Sequence, residues 1–501
     1  MEVLSVCFVV VATLSATWLL KLAALSCNSI KAKKRMVLPP GPWTLPIIGS
    51  LHHVISLLPH RTMMELSRRH GPVMLLRLGE VPTVVVSSAK AAAQVMKTND
   101  LVFASRPLSP TQDIISCGGK GIALAPYGDH WRQMRKVCIL ELLSSKQVNR
   151  MEGIRAEEVG NLLRTVAAAP AADPVNLSKK VSALSNNIVC RAVFGSRCTR
   201  QGEYLREHDK ILALLSGFCL ADLFPSSRLV RWLSNGERRM KRSHDRIHLI
   251  IADIVERRKA VRASGDVVCS TDYDLLDVLL RLQEEDSLAF PINMETISLV
   301  IFEMFGAATE TTAATLEWAM SELVANHDTM AKAQLEVREL LGEDRAVITN
   351  TNLGELHYLH MVIKEVLRMH PPLPLLLPRE TREDMPKGTN LFVNAYAISR
   401  DPEYWDDPEE FKPSRFENKN VDYQGTNFEF TPFGAGRRQC PGMLFGTSTV
   451  EIVLANLLYH FDWVLPNGAG AESLDMTEKS GIIVRRMSAL QLMAIPHACN
   501  L

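Results

Sequence analysis

A short run near the carboxyl end of the chain carries the residues best suited to chemistry. It extends from Phe433 to Gly442 in the pattern F-x-x-G-x-R-x-C-x-G. Chance would produce such a pattern on the order of 10⁻⁴ times in a chain of this length. Cys440 as a thiolate is a metal ligand, and N–H groups at a helix start stabilise its charge. Gly436 permits a tight turn, and Arg438 is a rigid fork of donors suited to a carboxylate. The alternative is a buried Cys in a glycine-rich turn beside surface arginines.

A second group of reactive residues lies within a long helix predicted over 292–326. This segment is apolar on most faces before Gly306, so we expect it to be buried. In the run Gly306–Thr312, small residues allow another body to approach the helix closely. The acid Glu310 lies next to the hydroxyl of Thr311, and such a pair can relay protons. The alternative is core packing in which the threonines hydrogen-bond to the preceding helical turn.

Three charged side chains and an indole recur at helical spacing. Glu365 and Arg368 form an i,i+3 pair, and Arg415 follows within a P-S-R-F segment. Trp131 and Arg135 lie one turn apart on one helical face. Each pair alone would be an ordinary surface or packing contact.

In their order along the chain, these motifs resemble those of the cytochromes P450. The resemblance covers residues 1 to about 490. It implies a mainly α fold with small β-sheets, the cytochrome P450 fold behind an N-terminal transmembrane anchor. It also implies heme b as the cofactor, with Cys440 as the axial iron ligand. Thr311 and Glu310 become the alcohol and acid of oxygen activation, and Glu365, Arg368 and Arg415 become a structural charged triad.

The remaining cofactor-binding residues follow from the same resemblance. It implies a monooxygenase that uses O₂ and takes electrons from NADPH–cytochrome P450 reductase, so that NADPH acts only indirectly. The chain has no G-x-G-x-x-G motif after a strand, which agrees with a separate reductase. The residues placed around the haem are Cys440, Arg438, Phe433, Gly436, Gly442, Trp131, Arg135 and Arg379.

The amino-terminal segment predicts a membrane anchor. Residues 3–25 are mostly apolar and carry no charge apart from Lys21, and the segment is long enough to cross a bilayer. Residues 26–42 hold a basic stop and a proline-rich hinge, and residues 43–501 form the catalytic domain. The basic residues follow the span, so we expect the catalytic domain to face the cytosol from the endoplasmic reticulum membrane. A cleaved signal peptide is the alternative, and the long span and the late position of the charges disfavour it.

Composition excludes some classes of protein. The chain has 501 residues with 56 basic and 55 acidic side chains, so nucleic acid is not an expected partner. Ten Cys residues without paired spacing argue against disulfides or a zinc site, and nine are expected to be reduced.

Periodic apolar patterns predict a mostly helical body. The predicted strands are Val73–Leu78, Thr83–Ser87, Leu391–Asn394 and Ile482–Arg486. The predicted helices are 60–70, 86–97, 126–149, 150–167, 177–194, 208–218, 236–263, 273–284, 293–326, 328–341 and 354–369.

The chain departs from the family pattern at two places. Ala308 stands where the family usually has Gly, and its methyl group is expected to crowd the substrate side of the site. The segment 379–388 is shorter than in plant members, a difference expected to weaken folding or activity.

Several sequence segments, among them Gly79–Pro82 and Ala221–Ser227, resemble those of plant A-type enzymes, especially grass hydroxylases of diterpenes or sesquiterpenes in defence metabolism. The expected substrate is therefore a small apolar terpenoid. An indole- or phenylpropanoid-type substrate, and a non-catalytic membrane-anchored haem protein, are the alternatives. The candidate pocket residues are Ile114, Ile122, Leu124, Phe305, Ala307, Leu373, Leu375, Ile482 and Ile483, almost all apolar.

Overall fold

Helices account for most of the chain, as the periodic patterns predict. A computed structural model describes residues 38–55, 58–170, 173–198, 200–215, 219–264, 274–342, 347–381 and 388–497. The helices are α1 (Leu51–Val54), α2 (Pro59–His70), α3 (Ala89–Ala93), α4 (Asp100–Phe103), α5 (Pro110–Ile115), α6 (Asp129–Val137), α7 (Ser145–Arg150), α8 (Glu152–Ala167), α9 (Leu177–Phe194), α10 (Gln201–Leu215), α11 (Leu220–Leu223), α12 (Arg228–Ser234), α13 (Gly236–Ala263), α14 (Leu275–Glu285), α15 (Met294–Ala325), α16 (His327–Leu341), α17 (His357–Met369), α18 (Ala395–Ile398) and α19 (Met443–His460).

Short strands form small sheets beside the helices. The strands are β1 (Val73–Leu78), β2 (Val81–Val86), β3 (Val175–Asn176), β4 (Arg379–Glu380), β5 (Asn390–Val393), β6 (Phe461–Val464), β7 (Glu478–Lys479), β8 (Arg485–Arg486) and β9 (Gln491–Pro496). The largest sheet has the order β1-β2-β5-β4, with β2 and β5 parallel and the other neighbours antiparallel. The sheet β3-β9-β6 and the pair β7-β8 are antiparallel. The mainly α fold with small sheets is confirmed.

Helix α15 runs through the core. Its first turn is capped by the side chain of Asn293, which accepts a hydrogen bond from the N–H of Thr296 at 2.9 Å. Most of its residues are buried, and it packs against α9 and α19. Because it has apolar residues on nearly every face, it is stable only when surrounded by protein. This position brings its Gly306–Thr312 segment into the interior.

Some predicted elements differ from those observed. The predicted helices 177–194 and 236–263 coincide with α9 and α13. The helix predicted over 126–149 is wrong as one element: α6 passes into a wider turn over Cys138–Leu142, and α7 begins after the extended Ser144. Only Arg485–Arg486 of the strand predicted over 482–486 is a strand, because the N–H of Val484 donates to the carbonyl of Pro372 instead.

The predicted membrane anchor, residues 3–25, lies outside the described residues, as do residues 26–37. In the ranges that the structure describes, no helix has the length and apolar character needed to cross a membrane. Residues 382–387 of the shortened segment 379–388 also lie outside the description. Its first two residues form β4, which pairs with the strand β5 that follows the segment, with Arg379 opposite Leu391 and Glu380 opposite Asn390.

Candidate active site

Cys440 and Thr311 face one internal cavity of about 300 Å³. Cys440 follows the turn Gly436–Arg438, and Thr311 projects from the middle of α15. Cys440 and Ala307 each have a large accessible surface although both residues lie inside the fold. Their exposure is toward the cavity, which is large enough to admit water. A thiol and an alcohol from distant parts of the chain thus share one enclosed space.

The backbone of the Cys440 loop explains its glycines. Gly436 has a φ of 70°, and a Cβ there would lie 2.1 Å from the carbonyl oxygen of Met96. The N–H of Cys440 donates to the carbonyl of Phe433 at 2.9 Å, which closes the loop. Phe433 and Gly442 line the cavity beside the sulfur. Burial raises the pKa of Cys440, while the N–H of Gly442 and the charge of Arg135 oppose that rise.

One wall of the cavity is strongly cationic. Arg106, Arg135, Arg379 and Arg438 all line it. Burial, and then the charges of Arg379 and Arg135, lowers the pKa of Arg438 to about 9. Asp100 balances part of this charge through an ion pair with Arg379 at 3.0 Å. Like charges gathered without equal compensation mark a place for a bound anion.

Trp131 holds this wall in place. Its Nε1 donates to the carbonyl of Ile122 at 3.0 Å, and the guanidinium of Arg438 lies over the indole ring at 4.1 Å from the centroid. Arg438 also donates to the carbonyls of Ala104 at 2.6 Å and Ile122 at 3.2 Å. Arg135 donates to the carbonyl of Gln439, next to Cys440. The predicted W-x-x-x-R pair therefore lies beside the Cys440 loop.

These residues fit a haem. A cysteine sulfur that faces the cavity, as that of Cys440 does, is the donor that a haem-thiolate iron needs. Guanidinium groups on the neighbouring wall suit the two propionate carboxylates of the porphyrin. The Gly434 and Gly442 backbone beside the sulfur leaves room for a flat ring. The donor set and the charge distribution agree with the predicted cofactor.

The side of the cavity formed by α15 carries the predicted alcohol but not the predicted acid. Ala307, Ala308 and Thr311 line the cavity. The hydroxyl of Thr311 donates to the carbonyl of Ala307 at 2.7 Å, which leaves its oxygen free to accept. Glu310 is absent from the cavity lining and forms an ion pair with Arg485 at 2.6 Å. The alternative, a threonine that hydrogen-bonds to the preceding helical turn, is thus confirmed for Thr311. The side chain of Thr311 nevertheless reaches the cavity.

The predicted charged triad is assembled. Arg368 binds Glu365 through two contacts, at 2.7 Å and 2.9 Å, and neither side chain has any exposed surface. Arg415 binds the same carboxylate at 2.9 Å. Arg368 also donates to the carbonyls of Ser399 and Pro408, both at 2.8 Å. The triad joins α17 to the segment that precedes the Cys440 loop.

The candidate substrate residues divide into two groups. Ile122, Ala307 and Leu373 line the cavity as predicted. The other candidates are not among the residues that line this cavity. Phe305 packs edge-on against Tyr204, with ring centroids 4.4 Å apart. Ile114 and Leu124 pack on the main hydrophobic core. Leu375 packs on the smaller cluster that includes residues of β1. Ile482 and Ile483 lie half-buried in a bend outside the cavity lining.

Sequence reasoning missed two polar residues of the cavity. Arg106 donates to the carbonyls of Leu377 and Pro378, both at 2.7 Å, and no motif spacing signals it. Glu303 accepts hydrogen bonds from the N–H groups of Ile122 and Ala123 at 2.6 Å and 3.2 Å. The sequence could have indicated Glu303, because it is an acid within the apolar half of α15 and a buried acid needs hydrogen-bond partners.

Comparisons with known proteins agree with this geometry. Residues 39–492 match the family described as cytochrome P450. The chain is 46% identical over 491 residues to desmethyl-deoxy-podophyllotoxin synthase of Sinopodophyllum hexandrum, covering 96% of each chain. It is 46% identical over 479 residues to ent-cassadiene hydroxylase of Oryza sativa subsp. japonica, covering 92% of each.

A solved structure supports the fold. A zebra fish cytochrome P450, in a structure with abiraterone, is similar with a TM-score of 0.72 and 26% identity. The similarity covers 88% of this chain and all of that one. The thiolate loop, the helix that carries Thr311 and the buried triad occur together in a fold of this kind, and the chain belongs to the cytochrome P450 family.

Proposed function

We propose that this cytochrome P450 is a membrane-anchored monooxygenase that hydroxylates an apolar terpenoid, a diterpene or sesquiterpene of specialised metabolism. One observation carries the proposal: Cys440 and Thr311 face the same cavity, whose lining is mostly apolar away from the arginine wall. The thiolate and the alcohol serve oxygen chemistry, while apolar surface binds a hydrocarbon. The rice relative is named for hydroxylation of ent-cassadiene, a hydrocarbon by its name.

The residues of this chain divide the work among them. Cys440 would hold a haem, which when bound would supply the O₂ activation and hydroxylation chemistry. Arg135, Arg379 and Arg438 would hold its propionates, and Arg438 is itself fixed by Trp131. Phe433 shields the sulfur from water. Ala307, Ala308 and Leu373 limit where the substrate can lie, since all three line the cavity.

Thr311 delivers protons in this account. Its oxygen has free acceptor capacity because its own proton is donated to Ala307. Glu310 acts at a distance, one residue away and paired with Arg485. Burial raises the pKa of Glu310 while Arg485 opposes the rise, so the carboxyl holds a proton more readily than an exposed glutamate. When Glu310 leaves its ion pair with Arg485, its carboxyl group would be able to pass a proton to the hydroxyl oxygen of Thr311.

Electrons come from NADPH–cytochrome P450 reductase on the same membrane. The apolar segment 3–25 and the basic residues after it support a single-pass anchor in the endoplasmic reticulum membrane with the catalytic domain in the cytosol. A shared membrane would keep the two proteins close, which raises their encounter rate.

An oxygenated aromatic substrate of the phenylpropanoid type is the second candidate. Glu303 places a carboxyl group in the cavity lining, where it could accept a hydrogen bond from a substrate hydroxyl. The relative from Sinopodophyllum hexandrum is named for making desmethyl-deoxy-podophyllotoxin rather than for hydroxylating a hydrocarbon.

Reconstitution tests the proposal. The full chain, purified as holoprotein and mixed with reductase, NADPH and lipid, is given a panel of diterpenes, sesquiterpenes, phenylpropanoids and indoles. We expect NADPH-dependent addition of one oxygen atom to a diterpene or sesquiterpene, measured by mass spectrometry. Turnover of a phenylpropanoid or indole alone would replace the terpenoid assignment. A correctly folded holoprotein without substrate-dependent turnover would favour the non-catalytic haem protein.

A further inference from the structure

Outside the active site, one Cys and two His residues converge between the turn after α5 and helix α13. They are Cys117 in the turn, and His244 and His248 one helical turn apart in α13. The possible ligand atoms of all three lie within 4.8 Å of one another. None of the three lines the active-site cavity.

The distances suit a tetrahedral metal ion. The Sγ of Cys117 lies 3.7 Å from the Nε2 of His244. Tetrahedral zinc, with Zn–S near 2.3 Å and Zn–N near 2.0–2.1 Å, places sulfur and nitrogen roughly 3.6 Å apart. The rings of His244 and His248 are 4.1 Å apart and tilted by 41°, so their nitrogens can turn toward one ion.

One of the three side chains has an unsatisfied polar atom. The Nε2 of His248 is buried and, within the part of the chain that the structure describes, has no hydrogen-bond partner, an unsatisfied state that a metal bond would relieve. The carboxylates of Glu295 and Asp245 act on His248 with negative charge, although Lys120 offsets Glu295 through an ion pair at 2.6 Å.

The backbone at Cys117 is unusual. Its φ of 49° lies in the left-handed region, which residues other than glycine rarely adopt. Two glycines follow it, and the hydroxyl of Ser116 accepts a hydrogen bond from the N–H of Gly119 at 3.0 Å. This turn directs the Cys117 side chain toward α13, since the Sγ contacts His244.

Although the spacing of the cysteines in the sequence predicts no zinc site, we propose that Cys117, His244 and His248 form a Zn²⁺-binding site that links the turn after α5 to helix α13. Thiolate and imidazole together are the ligand set of zinc rather than of calcium or magnesium. Three protein ligands leave a fourth position for water. When Zn²⁺ binds, the thiol of Cys117 releases its proton to solvent, and the resulting thiolate coordinates the metal.

The site lies close to the substrate cavity along the chain. Ile122 and Ala123 line that cavity and follow Cys117 by five and six residues. A bound Zn²⁺ would fix the start of the segment that leads to this wall, in addition to the hydrogen bonds from Glu303.

Zinc binding to the tag-free holoprotein tests the proposal directly. Equilibrium dialysis with Zn²⁺ alone should give one tight equivalent in the wild type. Cys117→Ser and His248→Gln should each weaken it by more than the roughly 10- to 100-fold that loss of an outer-shell partner costs. The controls Cys198→Ser, a half-buried thiol, and His327→Gln, an exposed ring, should bind like the wild type. Equal binding by wild type and Cys117→Ser would overturn the site.

Zinc-edge X-ray absorption identifies the ligands independently of activity and of the haem iron. We expect one sulfur near 2.3 Å and two nitrogens near 2.0 Å. Zn²⁺ should also slow alkylation of Cys117 by iodoacetamide in the wild type, read by peptide mass spectrometry, but not in His244→Gln. A spectrum without sulfur, or alkylation that Zn²⁺ does not slow, would contradict the proposal.

Discussion

The carboxylate of Glu303, in the first half of α15, accepts a hydrogen bond from the main-chain N–H of Ile122 at 2.6 Å. This contact fastens the loop after α5 to the helix that carries Thr311. A side chain added at Gly121 would meet the Glu303 carboxylate at 2.2 Å, so the loop approaches as closely as a glycine allows. Glu303 therefore helps to position one wall of the cavity, together with Trp131 and Arg438, which donate to the carbonyl of Ile122.

That acid should give stability a characteristic pH dependence. Burial raises the pKa of Glu303 from 4.5 to about 7, against the opposing effect of its backbone donors. The folded protein therefore binds this proton more tightly than the unfolded chain does. The stability linked to protonated Glu303 is complete below pH 4.5 and is lost as pH rises through 7.

Glu303→Gln removes this titration. We expect the wild type to lose on the order of 2–4 kcal/mol more than Glu303→Gln between pH 4.5 and 7.5. Denaturant unfolding at a series of pH values measures the difference, and Glu256→Gln at an exposed position is the matched control. Parallel profiles for wild type and Glu303→Gln would show that the buried acid does not titrate in this range.

The triad should matter for stability rather than for chemistry. Arg368→Ala leaves the Glu365 carboxylate buried with Arg415 and the N–H of Lys412 as its remaining partners, a loss that typically costs about 3–5 kcal/mol. We expect a lower unfolding midpoint and less haem-bound protein. Lys241→Ala, which breaks an exposed pair, should cost at most about 1 kcal/mol. Similar midpoints for the two variants would exclude a bracing role.

Thr311 should control the coupling of electrons to product. In Thr311→Ala, we expect product per NADPH oxidised to fall by about tenfold or more, because the acceptor oxygen next to the reacting centre is lost. Thr311→Ser should keep most of the coupling. Thr309→Val is the control, since Thr309 is buried outside the cavity lining and its hydroxyl has no hydrogen-bond partner. Unchanged coupling in Thr311→Ala would remove this residue from the proton path.

Local patterns predicted the parts of the fold that have one apolar face or clear end signals. Helix α13 and strand β1 begin and end where their periodicity does. Helix α19 did not appear among the periodic segments, because a helix buried on nearly every side is apolar throughout and shows no period. The short strands β3 and β7 have too few residues to show alternation.

The site was predicted where motifs have fixed spacing. The sulfur, the triad and the W-x-x-x-R pair are assembled as expected, because each lies in a short motif. The direction of a pocket side chain depends on long-range packing instead. Phe305 and Ala307 are two residues apart on α15, and only Ala307 faces the cavity. The positions of the Arg106 and Glu303 side chains likewise depend on hydrogen-bond partners that are distant in sequence.

The most direct test concerns which sulfur binds the iron, because two cysteines, Cys440 and Cys138, line the cavity. The reduced holoprotein with carbon monoxide should show the red-shifted absorption band that a thiolate ligand produces. This account predicts that Cys440→Ser abolishes the shift and that Cys138→Ser keeps it. An unshifted band in the wild type, or a shift that survives Cys440→Ser, would contradict the assignment of Cys440.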